Sequence, residues 1–208
     1  SFYLFGSYFG KFKFNYKSFS GWFFLLFSLY LVSGLFESKN VRLLSGILPP
    51  EFYSINENNN DCPLGLNCFK DYESGKKYAI DNDKIILLDF TGWACANCRR
   101  MEENVWSKPA IFNLLDSEFV IISLYVDDRS KLSEEEEFKY LNSSGNIQYI
   151  NNVGRRWSLF QQINFSNASQ PYYVAMMPSG KILTEPIQYA SEKNFENWLR
   201  LSLEESTK

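Results

Sequence analysis

Two cysteines, Cys95 and Cys98, are separated by two residues and directly follow a short apolar segment, residues 85–90. That segment is rich in isoleucine and leucine and is ended by Thr91 and Gly92, as expected for a buried strand that stops at a turn. After the cysteines, apolar residues recur four positions apart between charged ones, a spacing typical of a helix. A strand, a C-x-x-C pair and a helix in this order predict a redox-active dithiol.

The two thiols are expected to have different roles. Cys95 would lie at the N-terminus of the helix, where unpaired backbone N–H groups and the helix dipole favour a thiolate. Such a position can lower the pKa of a thiol from about 8.5 to roughly 3.5–7.5. We therefore predict that Cys95 is the nucleophile and that Cys98 resolves the mixed disulfide. The alternative interpretations are an inert buried pair and half of a zinc site.

Two carboxylates accompany the dithiol. Asp89 lies within the apolar segment, where a carboxylate is unfavourable unless it has a function. Burial would raise the pKa of Asp89, so that it could accept the proton that Cys98 loses. Glu102, one helical turn after Cys98, is a second candidate for this role. The alternatives are a pairing of Asp89 with a nearby lysine and a solvated helix face for Glu102.

A second cysteine pair, Cys62 and Cys68, precedes this segment. A bridge between them would close a short loop and stabilise the fold by roughly 2 kcal/mol. This structural disulfide is the favoured interpretation for a domain on the oxidising side of a membrane. Two alternatives stay open: the pair could exchange disulfides with Cys95 and Cys98, or all four cysteines could bind zinc.

The dithiol must be positioned by a sheet and its covering helices. Strands are predicted at residues 85–90, 120–126, 171–177 and 181–184, the last two forming a hairpin. Helices are predicted at residues 72–79, 95–106, 109–117, 154–161 and 191–203. Residues 133–152 would form an insertion that opens with a solvated helix start at Glu134–Glu137.

These residues also carry a family resemblance. Residues 88–106 resemble the active-site segment of the C-terminal periplasmic domain of the thiol:disulfide interchange protein DsbD, in the form found in Bacteroidetes-type bacteria. Residues 122–128, 169–174 and 44–50 are similar to that family's second core strand, its proline-bearing strand and the exit from its last membrane helix. The resemblance implies an α/β thioredoxin-like fold, a central mixed sheet flanked by helices, preceded by one transmembrane helix.

The resemblance also implies a substrate-binding surface. Pro171 would follow a cis peptide bond and lie against the dithiol, which leaves the backbone of Gln170 available to pair with an incoming peptide. Trp93 would shape the rim of this surface. The alternatives are a trans proline at the start of a strand and a tryptophan that belongs to the core.

An uncharged aromatic stretch, residues 18–36, predicts a transmembrane helix. It follows Lys11, Lys13 and Lys17, which are typical of the positive flank of such a helix. A cleavable signal peptide is the alternative interpretation.

Three regions are predicted along the chain. Residues 1–48 would form a membrane segment, in which residues 1–10 are the end of an earlier helix of a larger protein. A linker with Cys62 and Cys68 would occupy residues 49–70, and the thioredoxin-like domain residues 71–208.

Composition excludes several other functions. Residues 1–50 carry a net charge of +4 and residues 51–208 one of −7, and an acidic domain argues against nucleic acid as a partner. The chain has no histidine, which excludes histidine-dependent nucleophilic catalysis and histidine-ligated metals.

The sequence therefore predicts a protein-disulfide reductase anchored in the bacterial inner membrane, with its thioredoxin-like domain in the periplasm. The resemblance implies that the membrane domain of the parent protein donates electrons and that periplasmic thiol/disulfide proteins accept them. The acceptors could be cytochrome maturation proteins, isomerases or peroxide-reducing proteins. No metal or organic cofactor is expected beside the Cys95–Cys98 disulfide. The alternatives are a thioredoxin-fold scaffold or binding module, and a disulfide isomerase without a membrane electron supply.

Overall fold

A computed structural model of the chain describes residues 16–36, 62–142 and 144–208. The chain divides into two compact units, Ser1–Ser45 and Gly46–Lys208. The predictions for residues 1–10 and 44–50, and for most of the linker, lie outside the described residues.

In the first unit the structure describes one helix, α1 (Tyr16–Phe36). Its phenylalanine and leucine side chains are largely exposed wherever the structure describes them. Among the described residues, no helix is long and apolar enough to cross a membrane. The predicted transmembrane helix is therefore not confirmed.

The second unit is built from short strands and helices. Its described strands are β1 (Cys68–Phe69), β2 (Ile85–Thr91), β3 (Phe119–Tyr125), β4 (Phe138–Leu141), β5 (Ile147–Ile150) and β6 (Tyr172–Met176). Its described helices are α2 (Tyr72–Asp81), α3 (Ala96–Met101), α4 (Pro109–Glu118), α5 (Val153–Phe165) and α6 (Glu192–Ser206). Helix α3 continues into a π-helical turn, Glu102–Trp106, within the stretch predicted as one helix.

A mixed sheet forms the centre, as predicted, and its strand order is β1-β3-β2-β6. The short strand β1 was not among the predicted strands. Strands β1, β2 and β3 are parallel, and β6 is antiparallel to β2. Every residue of β2 and β3 is buried, because helices cover both faces of the sheet. The predicted strand at 181–184 is reduced to a bridge between Ile182 and Met176, although the hairpin itself is present.

The alternation of side chains along each strand separates two cores. On one face, Leu87, Ile121 and Tyr173 pack against the helices α3, α4 and α6 and the π-helical turn. On the other face, Leu88 and Ile122 pack in a cluster that includes residues of α2 and α5. Asp89 and Ser123, which pair across β2 and β3, belong to the first face by register.

The insertion at residues 133–152 does not open with the predicted helix start. Residues 134–136 form a turn, and β4 and β5 form an antiparallel hairpin beyond it. The side chain of Asn142 closes the hairpin by accepting hydrogen bonds from the N–H groups of Ser144 and Asn146. Glu136 pairs with Arg156 and with Ser133 instead of opening a helix. These local partners and the strand pairing outweigh the helix propensity of the glutamate run.

Candidate active site

Cys95 and Cys98 form a disulfide at the start of α3, beyond the end of β2. Cys95 is the N-cap residue of the helix, and its sulfur accepts a hydrogen bond from the N–H of Cys98 at 3.2 Å. Cys95 is half-buried, whereas Cys98 is 1% exposed. A partner can therefore reach the Cys95 sulfur much more easily than that of Cys98, which is the asymmetry that the predicted roles require.

Asp127 holds the loop that presents Cys95. Its carboxylate accepts hydrogen bonds from the backbone N–H groups of Trp93 at 2.8 Å and Ala94 at 2.9 Å. A Cβ on Gly92 would lie 3.0 Å from the same carboxylate, so a glycine here permits the close approach. The position of Cys95 thus depends on a residue just after β3 that no sequence motif indicates.

An aromatic stack lies beside the loop. The half-buried ring of Trp93 stacks on Tyr125, with ring centroids 3.9 Å apart, and the Nζ atom of Lys70 lies 5.2 Å from the Trp93 centroid. One part of the Trp93 side chain is therefore exposed and another is packed against the domain. Trp93 is thus intermediate between the two alternatives, a residue at the rim of the binding surface and a core tryptophan.

Asp89 is buried beneath this region, with 1% of its surface exposed. Ser123 Oγ donates a hydrogen bond to its Oδ2 at 3.1 Å, and its buried Oδ1 has no hydrogen-bond partner among the described residues. Burial raises the pKa of Asp89 to about 7, although Arg99 and the Ser123 hydrogen bond act in the opposite direction. The cation that acts on Asp89 is an arginine, not the lysine of the alternative interpretation.

Glu102 is also buried, with 6% of its surface exposed, so a solvated helix face is wrong. Its Oε2 lies 2.6 Å from Arg99 Nη1. Burial raises the pKa of Glu102 well above its usual value, Arg99 lowers it, and the neighbouring Asp89 raises it further. The structure therefore places both predicted carboxyl groups in one buried cluster, on the face of the sheet that α3 covers.

The Gln170–Pro171 peptide bond is cis, as the resemblance implies. Tyr172 pairs with Phe90, so the register places Pro171 at the end of β2 where the loop to Cys95 begins. Buried Gln161 fixes this turn: its side chain donates to Ser169 O at 2.9 Å and accepts from Gln170 Nε2 at 2.9 Å. Nothing in the sequence pattern of α5 indicated this role for Gln161.

A sequence profile described as thioredoxin-like matches residues 67–147, which include the dithiol, β2 and β3. The chain contains a thioredoxin-like domain. Its fold and its dithiol together make it a thioredoxin-like disulfide oxidoreductase. A comparison with curated proteins gives no significant match.

Solved structures similar to this chain include three oxidoreductases or their domains. A thioredoxin from Thermus thermophilus has 18% identity and a TM-score of 0.45, with 65% of this chain and 85% of that chain covered. A DsbH oxidoreductase has 13% identity and a TM-score of 0.48, with coverages of 73% and 93%. The DsbD C-terminal domain of Neisseria meningitidis, in the reduced form, has 16% identity and a TM-score of 0.42, with coverages of 64% and 98%.

The thioredoxin-like domain carries a second disulfide, between Cys62 and Cys68, as predicted. Cys68 lies in β1 and pairs with Ile121, so it is on the same face of the sheet as Asp89. The disulfide closes the turn that leads into β1, which has only two residues. These positions fit a bridge that fixes the edge of the sheet.

We predict that the Cys62–Cys68 bridge is structural. Replacing both residues by serine should lower the free energy of unfolding by about 2 kcal/mol, because the unfolded chain loses a constraint. Turnover of a model disulfide by Cys95 should change less than twofold. Denaturant unfolding and a reductase assay on the same preparation measure both quantities. A folded double variant without turnover would instead support disulfide exchange between the two pairs.

Proposed function

We propose that this chain is a membrane-attached thiol:disulfide reductase that works on the periplasmic side of the bacterial inner membrane. The observation that carries the proposal is the pairing of a half-buried Cys95 with a buried Cys98, which is directly followed by Arg99 of the buried cluster with Glu102 and Asp89. Burial raises the pKa of Asp89 to about 7, and a carboxylate with such a pKa can accept a proton efficiently near neutral pH.

The reaction takes place in two exchange steps. The Cys95 thiolate attacks one sulfur of a partner disulfide, forms a mixed disulfide and releases the second partner sulfur as a thiolate. Cys98 then transfers its proton to the carboxyl cluster and attacks Cys95 Sγ. The Cys95–Cys98 disulfide forms and the partner's first sulfur leaves, so two electrons have passed to the partner. A dithiol in the membrane part of the parent protein would then reduce the pair again.

The partner would bind beside Cys95. The Gln170 backbone lies outside the β6 ladder and next to a cis proline, so it is available for an extended peptide. Trp93, in the loop that precedes Cys95, adds a half-exposed aromatic surface. This arrangement recognises the backbone around a cysteine, which suits acceptors that are themselves thiol/disulfide proteins. The proposal requires no metal and no organic cofactor.

Membrane attachment rests on the N-terminal unit. The uncharged stretch at residues 18–36 follows three lysines, and the described phenylalanine and leucine side chains of α1 are largely exposed. Separation of the full chain between membrane and soluble fractions tests this part of the proposal. Recovery in the soluble fraction would overturn it.

A redox titration tests the direction of electron flow. The full chain is equilibrated in thiol/disulfide buffers, and the alkylated fraction of Cys95 and Cys98 is measured by mass spectrometry at each potential. A reductase should have a midpoint near that of thioredoxin, about −270 mV. A midpoint near about −120 mV, the value of the oxidant DsbA, would overturn reductase function. A scaffold would keep a disulfide that does not exchange with the buffer.

A further inference from the structure

Arg99 is a buried cation directly after the resolving cysteine. Only 3% of its surface is exposed, whereas the side chain of the next residue, Arg100, is exposed to solvent. Arg99 Nη1 lies 2.6 Å from Glu102 Oε2, and Nη2 donates to Thr91 Oγ1 at 3.2 Å. A buried guanidinium is unfavourable unless carboxylates or hydrogen bonds compensate its charge. The contacts with Glu102 and Thr91 therefore compensate the buried charge of Arg99.

Groups from several elements surround this guanidinium. Thr91 from β2 and Glu102 from the π-helical turn contact it directly. Its charge acts on Asp89 from β2, Tyr125 from β3 and Tyr173 from β6, and Ser123 from β3 donates a hydrogen bond to Asp89. Glu103 also acts on Glu102 through its charge. The helices α4 and α6 contribute Ile111, Leu115, Phe195, Trp198, Leu199 and Ser202 to the buried region, none of which titrates.

The charge balance of this cluster follows from its members. Two ionised carboxylates beside one guanidinium leave a net charge of −1 in a buried region, which is unfavourable. One proton shared by Asp89 and Glu102 makes the cluster neutral. Without the guanidinium, neutrality would require a proton on each carboxyl group, so neither could accept one from Cys98 near neutral pH.

We propose that Arg99 is a positioning residue that limits Asp89 and Glu102 to one proton between them, and so leaves one carboxylate free to receive the proton of Cys98. The proposal rests on the proposed reductase function and deepens it. In this mechanism Arg99 is neither the nucleophile nor the proton acceptor. It acts through the two carboxyl groups, whereas the roles of Cys95 and Cys98 follow from their own positions.

A single-turnover reaction isolates the step. The reduced full chain is mixed with the chromogenic disulfide dithiobis(nitrobenzoic acid), whose thiolate product absorbs visible light. The first release of product reports the attack of Cys95, and the second reports resolution by Cys98. Arg99→Met should slow the second phase about tenfold at neutral pH and raise the midpoint of its pH profile by about one unit.

Two variants control for side effects. Arg100→Met removes an equal charge at the next, exposed position and should leave the midpoint of the second phase unchanged. Arg99→Lys keeps the charge without the planar guanidinium and should restore much of the rate. A second phase in Arg99→Met that superimposes on that of the unmodified chain would overturn the proposal.

A direct readout separates this proposal from the proposed function. Carboxyl-carbon NMR of the oxidised chain should show that Arg99→Met raises the titration midpoints of Asp89 and Glu102. If Arg99→Met does not fold on its own, it is introduced into Glu102→Gln, where the loss of the guanidinium should still raise the midpoint of Asp89 relative to Glu102→Gln alone. A midpoint of Asp89 that is the same with and without Arg99 would overturn the role of Arg99. If the unmodified chain lacks a second phase, the reductase function fails, whatever the NMR shows for Arg99.

Discussion

Replacing Cys98 by alanine should trap this protein on its partners as stable mixed disulfides. In the proposed mechanism, Cys98 of the unmodified chain displaces the partner from Cys95, so the mixed disulfide is short-lived. Cys98 is buried directly behind Cys95 in the first turn of α3, and no other cysteine of the domain is placed on that helix. Turnover of a model disulfide should fall by at least about a hundredfold, because removal of a reacting group lowers the rate of an enzyme by at least this much.

Non-reducing gels of cells that express the full chain should show new bands for Cys98→Ala, at least about tenfold stronger than for the unmodified chain. Mass spectrometry would identify the trapped proteins. Cys95→Ala is the matched control, because it removes the attacking sulfur from the same turn of the helix. A small set of thiol/disulfide proteins seen only with Cys95 present supports a reductase. The same bands in both variants would indicate a scaffold, and many unrelated secreted proteins an isomerase.

The centre of the fold was predictable because its signals are local. Residues 85–91 and 119–125 are almost continuously apolar, which is the pattern of a strand buried on both faces. The C-x-x-C pair at a strand–helix junction likewise depends on residues that are adjacent in sequence. Asp89 stood out because a charge within such a run needs a reason, and the structure places it in a buried cluster.

The supporting residues were not predictable, because they act across the fold. Asp127 reaches the loop before Cys95 from the end of β3, and Gln161 reaches the cis-proline turn from α5. Arg99 and Arg100 are identical neighbours in sequence, yet only Arg99 is directed inward. The direction depends on the sheet beneath α3 and on Glu102 three residues later, neither of which a helical pattern contains.

The wrong prediction of a helix start at the opening of the insertion has a different cause. Four consecutive glutamates favour a helix start by composition, but residues 138–140 and 147–149 after them alternate apolar and polar side chains, which is the two-residue period of a strand. Asn142, Gly145 and Asn146 lie between those segments and form a turn. The turn residues and the alternation were the informative signal, and the charge run was not.

The second large effect is expected from Asp89→Asn, through the pH dependence of both stability and rate. The folded protein binds the Asp89 proton more tightly than the unfolded chain, because burial raises the pKa from 3.8 to about 7. The contribution of this proton to the free energy of unfolding is therefore fully present below about pH 4 and is lost as the pH rises toward about 7. At about 1.4 kcal/mol per pKa unit, the loss approaches about 4 kcal/mol.

An asparagine cannot ionise, so the variant should avoid this loss. Asp89→Asn should unfold like the unmodified chain in acid and be more stable by up to about 4 kcal/mol at high pH, less the effect of an unpaired amide N–H. Denaturant unfolding of the oxidised chain across pH measures the difference. Asp116→Asn makes the same chemical change at an exposed position of α4 and should leave the pH dependence unaltered.

The same substitution should slow resolution by Cys98 by about tenfold to a hundredfold at neutral pH, because a proton acceptor is lost. The attack of Cys95 on the partner should change little, so the two phases of the single-turnover reaction separate the effects. A variant that is stabilised at high pH but resolves at the original rate would show that Asp89 titrates without carrying the proton. Glu102 would then be the remaining acceptor, and Glu102→Gln should slow the second phase in its place.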